Sequence, residues 1–455
     1  MEIKQFQVTN VGRFSGMEIA LAPTPKHSSN ITVILGNNGA GKTSLLKSLA
    51  TSLSWLVARI RSEKGSGSPI QEEVIKNGQN WASIEVHLED DCGQRFNPDA
   101  DQADYQFYWG LVKPRKGKKA DASSWLSDVT RLADHYRTLL SKNDNADLPL
   151  IAFYPVERVV LDIPLKVKTK HTFSQLDGYD NSLNQGVDFR RFFEWFRERE
   201  DAENESQIPR GVLESLQASV EEDLWQKLSK LNASSRDRQL SAVRNAISHF
   251  MPGFTNLRIQ RKPRLHMSID KDGQTLNVAQ LSQGEKSLMA LVGDIARRLA
   301  MMNPSLPNPL TGDGIVLIDE VDLHLHPKWQ STLLQRLTQT FPNCQFVLTT
   351  HSPLVINSAQ NLLCYSLGDD ELHELDSLYG LDANQTLALG LDSAYRNEQV
   401  QSKLDDLLDA LQDGDLEKAR KFQAALKQDL PEGHIELTKS DLLLRKLELR
   451  REKNR

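Results

Sequence analysis

Residues Gly36 to Ser44 read Gly-Asn-Asn-Gly-Ala-Gly-Lys-Thr-Ser and fit the spacing G-x-x-x-x-G-K-[ST]. Glycines at 36, 39 and 41 let the backbone turn so that several N–H groups face one point. A helix starting there adds its own N-terminal N–H groups, an arrangement that suits phosphate oxygens. Gly36, Asn37, Asn38, Gly39, Ala40, Gly41, Lys42, Thr43 and Ser44 are therefore expected to hold nucleotide phosphates. Lys42 is placed to reach the β- and γ-phosphates, and the Thr43 hydroxyl to ligate Mg²⁺. The bland alternative is a glycine-rich strand-to-helix turn. The apolar run ITVILG before the motif and the helical pattern from Lys42 to about Arg61 supply the context that phosphate binding needs.

Three further constellations follow. Ile315 to Glu320 form a buried-strand run ending in two acids, which places them at the carboxyl edge of a parallel sheet, where ligands bind. Asp319 is expected to complete the Mg²⁺ shell, and Glu320 to polarise the attacking water. Standing alone, such acids read equally well as a solvated strand end. Gln345 to Thr350 form another apolar strand, followed by His351-Ser352-Pro353; a histidine there can contact the γ-phosphate, whereas an isolated one is more often a cap. Leu281-Ser282-Gln283-Gly284-Glu285-Lys286 precedes a helix. Ser282 with Glu285 fits a capping box, and the same residues with Gly284 can grip a γ-phosphate.

The elements that must position these groups are legible in outline. At 455 residues the chain exceeds the ~250–300 at which single cores usually stop growing, so two or three subregions are expected. Residues 2–9 alternate like a strand, with 17–22 as a pairing partner; 81–89, 104–112 and 148–155 also read as strands. Residues 186–250 are helical and highly charged, including the run 211–231. Strands with a turn at Lys271-Asp272-Gly273 fill 257–278. Single helices are expected over 286–302 and from Lys328 to Thr340, and two helices around Asp413-Gly414-Asp415. The net charge of −6 argues against whole-surface nucleic-acid binding but leaves room for a local basic groove. Cys92, Cys344 and Cys364 form no spaced cluster, which points to a reducing, cytoplasmic setting. No stretch approaches the ~18 apolar residues of a membrane span, and the N-terminus lacks the apolar block of a signal peptide.

In this order the motifs resemble those of the ABC-type ATPase heads of the SMC, RecF and OLD-like group. LSQGE is similar to the signature, IVLIDE to Walker B, TTHSP to the switch, and Glu320 to Pro327 to the D-loop of the OLD-like and RecF-like branch. The likeness covers 1–60 and 255–370. It implies an α/β ABC-ATPase head of mixed and parallel sheets flanked by helices, with a helical insert and a helical C-terminus. The corresponding division is 1–120 and 255–380 for the two halves of the head, 121–254 for the insert and 381–455 for a helical region that packs or binds a partner. It implies ATP and Mg²⁺ as ligands, Lys42, Glu320 and His351 as catalytic groups, and a homodimer or higher homo-oligomer. In that assembly Ser282, Gly284 and Glu285 of one copy close on the nucleotide of another.

Two features depart from the pattern. Tyr154-Pro155-Val156-Glu157-Arg158 stands where a Q-loop glutamine is expected; OLD-like ATPases often carry such a segment, which directs attention to Arg158. His324 and His326 hint at a metal, but two ligands without a third argue against one. The 104 residues after His351 (455 − 351) lack the acidic strand ends of a Toprim nuclease. An OLD-like head without a nuclease resembles the ATPase subunits of Septu-type and retron-associated anti-phage systems. That resemblance implies a separate HNH nuclease partner and contact with DNA, and the lack of a membrane-spanning apolar run adds the expectation of no membrane. The alternative is a RecF- or SMC-like DNA-binding ATPase of repair or recombination. Candidate DNA contacts are Lys113, Arg115, Lys116, Lys118 and Lys119, and less so the basic end (Arg445, Lys446, Arg450, Arg451, Lys453, Arg455). Leu404, Leu407, Leu408 and Leu411 form a stripe suited to internal packing or a partner.

Overall fold

The computed structural model describes residues 1–91, 105–156, 173–184, 187–206, 236–368, 370–390, 398–431 and 433–453, with side chains undescribed from 450 onward. Cys92, Glu157, Arg158, Arg455 and the run 211–231 lie outside the described residues. The chain divides into two compact units, Met1–Ala383 and Asn384–Arg455.

The first unit opens with strands β1 (Glu2–Val11), β2 (Phe14–Ala20) and β3 (Ile31–Gly36), then helix α1 (Lys42–Arg61). Strands β4 (Trp81–Glu89) and β5 (Gln106–Pro114), helix α2 (Ser127–Lys142) and strand β6 (Leu150–Tyr154) follow. Helices α3 (Phe189–Ser206) and α4 (Arg238–Phe250) precede the hairpin strands β7 (Phe254–Gln260), β8 (His266–Lys271) and β9 (Gln274–Asn277). The long helix α5 (Gln283–Met302), strand β10 (Gly314–Ile318), helix α6 (Leu333–Thr340) and strands β11 (Cys344–Thr349), β12 (Leu363–Gly368) and β13 (Glu371–Leu375) complete it.

Three sheets form among the described residues. The antiparallel one has the order β2-β1-β4-β5, and the six-stranded one the order β13-β12-β3-β11-β10-β6. Within the latter, β12, β3, β11, β10 and β6 are parallel and β13 is antiparallel. A small antiparallel sheet joins β7, β8 and β9. This is an α/β head of mixed and parallel sheets flanked by helices. The parallel strands β3, β6, β10 and β11 are buried at every residue, which is why they read as unbroken apolar runs rather than alternating ones. β6 falls within the span read as a helical insert, yet it pairs with β10 in the six-stranded sheet.

Most elements lie where the sequence pattern puts them, including α1, the pairing of β2 with β1, and the turn at Asp272-Gly273 with its positive φ values. The single helix expected from Lys328 to Thr340 is a correction. It is a short turn, Pro327–Gln330, followed separately by α6. The hydroxyls of Ser331 and Thr332 donate to the carbonyls of Lys328 and Trp329 at 3.1 and 3.4 Å, satisfying them locally and interrupting the helix.

The second unit contains α7 (Glu398–Gln412), α8 (Leu416–Asp429) and α9 (Ile435–Lys453). Leu404, Leu407 and Leu411 pack with Ala419, Leu426, Leu437 and Leu444 in its own core. Leu408, the fourth member of the stripe, is exposed.

Candidate functional site

Because β3, β10 and β11 are parallel neighbours, their carboxyl ends bring three sequence-distant segments to one edge. The turn after β3 leads into α1, whose N-cap Gly41 has φ +103° and offers no side-chain cap. A Cβ at Gly41 would lie 2.5 Å from the Phe14 ring, so both the left-handed backbone and the packing of the β1–β2 turn call for glycine. Asn37, Asn38 and Gly39 are exposed, Gly36 and Ala40 buried, and Thr43 and Ser44 half-buried. Arg13, in the β1–β2 turn, donates to the Gly39 carbonyl at 2.9 Å and pairs with Asp370.

Lys42 is buried, and its Nζ donates to the carbonyls of Gly36 (2.7 Å) and Asn37 (3.2 Å). Its third partner is His351 Nε2 at 2.8 Å. An ammonium has donors and no acceptor, so Nε2 accepts and His351 is neutral with its proton on Nδ1. Burial lowers the His351 pKa, the Lys42 cation lowers it further, and the carboxylates of Glu320, Asp322 and Asp319 oppose both. Burial likewise lowers the Lys42 pKa against the pull of the same carboxylates.

The Thr43 hydroxyl donates to Asp319 Oδ2 at 2.7 Å. Asp319 is fully buried at the end of β10, and its N–H donates to the Tyr154 carbonyl of β6 at 2.9 Å. Glu320 follows with φ +46°, a left-handed conformation costing about 1–2 kcal/mol for a residue with a side chain. Thr349, at the end of β11, meets both acids. Its Oγ1 bonds to Asp319 Oδ1 at 2.6 Å and to the Glu320 N–H at 2.7 Å. Thr350 Oγ1 bonds to Asp322 Oδ1 at 2.5 Å, and Gln330 ties the Leu325 carbonyl (3.0 Å) to Ser352 Oγ (2.9 Å).

A pair of hard oxygens, hydroxyl and carboxylate, beside an uncapped helix N-terminus and a buried lysine fits a Mg²⁺–polyphosphate. Thr43 and Asp319 would hold the cation; the N–H groups of the phosphate loop from Gly36 to Ser44, the P-loop, and Lys42 would hold the phosphates. A Mg²⁺ bound there would neutralise charge on the phosphate oxygens.

The turn at Ser282 is constructed differently. Ser282 and Gln283 are exposed. Ser282 Oγ accepts from the Glu285 N–H at 3.3 Å, while Glu285 Oε2 accepts from the Ser282 N–H at 2.9 Å. Burial works against the Glu285 carboxylate, but Lys271 at 2.7 Å and Ser282 hold its pKa below the usual value. Among the described residues, no side-chain bond links this turn to the P-loop. A Cβ on Gly284 would stand 2.3 Å from the His324 carbonyl, so the turn rests directly on the backbone of the loop after β10. His324 has φ +63°, and His326 accepts from the Lys328 N–H at 3.2 Å as a local cap. Deeper in α5, Asp294 is buried with Arg297 (2.6 Å) and Arg298 (2.7 Å) and receives the Tyr154 hydroxyl at 3.0 Å.

The structure thus joins Lys42 to His351 and Thr43 to Asp319 by direct bonds and places Ser282, Gly284 and Glu285 on a separate turn. Sequence reasoning passed over Thr349, Arg13 and Asp294. For Thr349 the available signal was a hydroxyl at the end of a wholly buried strand. Of the basic cluster, Arg115 is committed to the carbonyls of Gln79 and Ile75, both at 2.8 Å, while Lys116, Lys118 and Lys119 are exposed. Among the described residues no helix is long and apolar enough to cross a membrane.

Residues 31–357 match the family described as "AAA domain, putative AbiEii toxin, Type IV TA system". The chain is 35% identical over 372 residues to the "Retron Ec83 probable ATPase" of Escherichia coli, covering 73% of this chain and 66% of that one. It is 34% identical over 383 residues to the "Retron Vc95 probable ATPase" of Vibrio cholerae serotype O1 biovar El Tor, covering 78% of this chain and 72% of that one. The matches thus span about two thirds of these relatives' lengths. A shorter likeness, 45% over 74 residues, joins it to the Septu protein PtuA of Bacillus mycoides (strain KBAB4), covering 16% of this chain and 10% of that one. A solved SMC head bound to the C-terminal winged-helix domain of ScpA is 13% identical with a TM-score of 0.46, covering 83% of this chain and 98% of that one.

Proposed function

Because the chain belongs to this AAA domain family, we propose that it binds ATP with Mg²⁺ and hydrolyses it, and that it does so as an assembly of copies serving anti-phage defence. The observation that carries the reading is the Thr43–Asp319 contact of 2.7 Å beside the buried Lys42, at an uncapped helix N-terminus. The retron and Septu names of its relatives support the defence role. In this reading Lys42 and the P-loop bind the phosphates. Glu320 polarises the attacking water, and His351, released from Lys42, meets the terminal phosphate. Ser282 and Gly284 of a second copy close the site. The output lies in a separate HNH nuclease subunit, and DNA is met by Lys113, Lys116, Lys118 and Lys119, whose contribution should fall steeply with salt. The setting is cytoplasmic.

The test separates hydrolysis from assembly. Glu320→Gln is expected to lower turnover by about 100-fold or more while keeping ATP binding, and to accumulate the assembled form in sedimentation with ATP. Ser282→Arg is expected to keep ATP binding and lose both turnover and ATP-dependent association. Turnover and association unchanged in Ser282→Arg would remove the shared site. Co-purification from the native operon tests the partner: a bound small nuclease is expected, and its absence favours the repair-type ATPase.

A further inference from the structure

We propose that Thr349 is the positioning residue for both acids of the site, fixing Asp319 for its cation and Glu320 for its water through one hydroxyl. The inference rests on the ATPase reading above. β11 lies between β3, which carries the P-loop, and β10, which carries the acids, so the last side chain of β11 falls where the two meet. Thr349 is fully buried there.

The direction of its bonds follows from chemistry. The Glu320 N–H can donate and nothing else, so at 2.7 Å the Thr349 oxygen accepts from it. The single hydroxyl proton then goes to Asp319 Oδ1, 2.6 Å away. With Oδ1 held by Thr349, the Oδ2 edge is the one turned toward Thr43. The second bond holds Glu320 by its backbone in the left-handed conformation at φ +46°, whose cost must be offset by surrounding contacts. The Val321 N–H donates to the Thr349 carbonyl at 2.9 Å, so the same residue grips the turn on both sides of Glu320. Thr350 repeats the device one step on, bonding Asp322 while accepting from the Ser352 N–H at 3.0 Å. A hydroxyl that orients a metal-binding carboxylate typically accounts for about 10- to 100-fold in metal affinity or activity.

The experiment uses the full chain with Thr349→Val, which keeps the shape and removes the hydroxyl, and Thr349→Ser, which restores it. Binding of a fluorescent ATP analogue is measured with and without Mg²⁺, alongside kcat, KM and the Mg²⁺ concentration for half-maximal turnover. Thr349→Val is expected to bind nucleotide without Mg²⁺ as the wild type does. It should need about tenfold more Mg²⁺ and lose kcat by about 10- to 100-fold with little change in KM. Thr349→Ser should return both to within a few-fold. Mg²⁺ response and kcat unchanged in Thr349→Val would overturn the proposal, as would equal weakening of binding with and without Mg²⁺. If the valine variant fails to fold, Thr349→Ala is read by the same criteria against Thr349→Ser. A wild type that binds the analogue with a Mg²⁺ response yet never turns ATP over would sink the hydrolysis reading and leave the binding arm to judge Thr349.

Discussion

At the P-loop edge, Lys42 bonds to His351, Thr43 and Thr349 both bond to Asp319, and Lys42 and Asp319 are buried. At the signature turn, Ser282 is exposed and its hydroxyl and N–H are taken up by Glu285 three residues on. The first region is organised by long-range pairing of parallel strands, the second by its own helix end and the loop beneath it. Groups that meet the reacting phosphate benefit from being fixed before ligand arrives, since reorganisation then costs nothing at the moment of reaction. The exposed Ser282 turn would instead suit the role proposed for it, of closing on another copy's nucleotide.

The largest effect expected from breaking this contrast comes from Lys42→Ala. Removing the ammonium should abolish measurable nucleotide binding and lower turnover by at least about 100-fold, whereas Ser282→Arg should spare binding. Isothermal titration with ATP compares the two, and equal loss in both variants would erase the distinction. A middle-sized effect comes from Gly284→Ala. The added methyl would sit 2.3 Å from a backbone oxygen that cannot swing aside, a clash of about 1–3 kcal/mol. Thermal unfolding should show that loss, with Mg²⁺-free nucleotide binding unchanged.

The smallest effect concerns pH. An ordinary histidine titrates near 6.5, and burial together with Lys42 holds His351 below this. Between the two values the unfolded chain binds a proton that the folded chain does not. The His351 contribution is therefore full above about pH 6.5 and lost as pH falls through the lower, folded value. Melting of ligand-free protein from pH 8 to 5.5 should be less steep in His351→Gln than in wild type; identical slopes would mean that the folded chain does not hold His351 below its ordinary value.

The P-loop edge was far more readable from sequence than its supports. Glycines at 39 and 41 take positive φ, and a strand buried at every residue cannot alternate, so local physics writes both into the residue order. β3 lies some 300 residues before its sheet neighbours β11 and β10, and no local pattern encodes that adjacency. Thr349 illustrates the cost: as a letter it extends an apolar strand, and its role exists through two partners just after β10. Asp294, Arg297 and Arg298 read as ordinary charged positions of a helix, but they are buried together beneath Tyr154. The break at Ser331 and Thr332 depended on which carbonyls their hydroxyls would find.

The meeting of Gly284 with the His324 carbonyl carries a consequence of its own. With no room for a methyl between them, the turn and the loop meet backbone to backbone, so a shift of the loop would press directly on the turn. The loop is anchored in turn to β11 through Asp322 and Thr350. In the proposed assembly, a shift of the segment after β11 would thus press on the turn that one copy offers its neighbour.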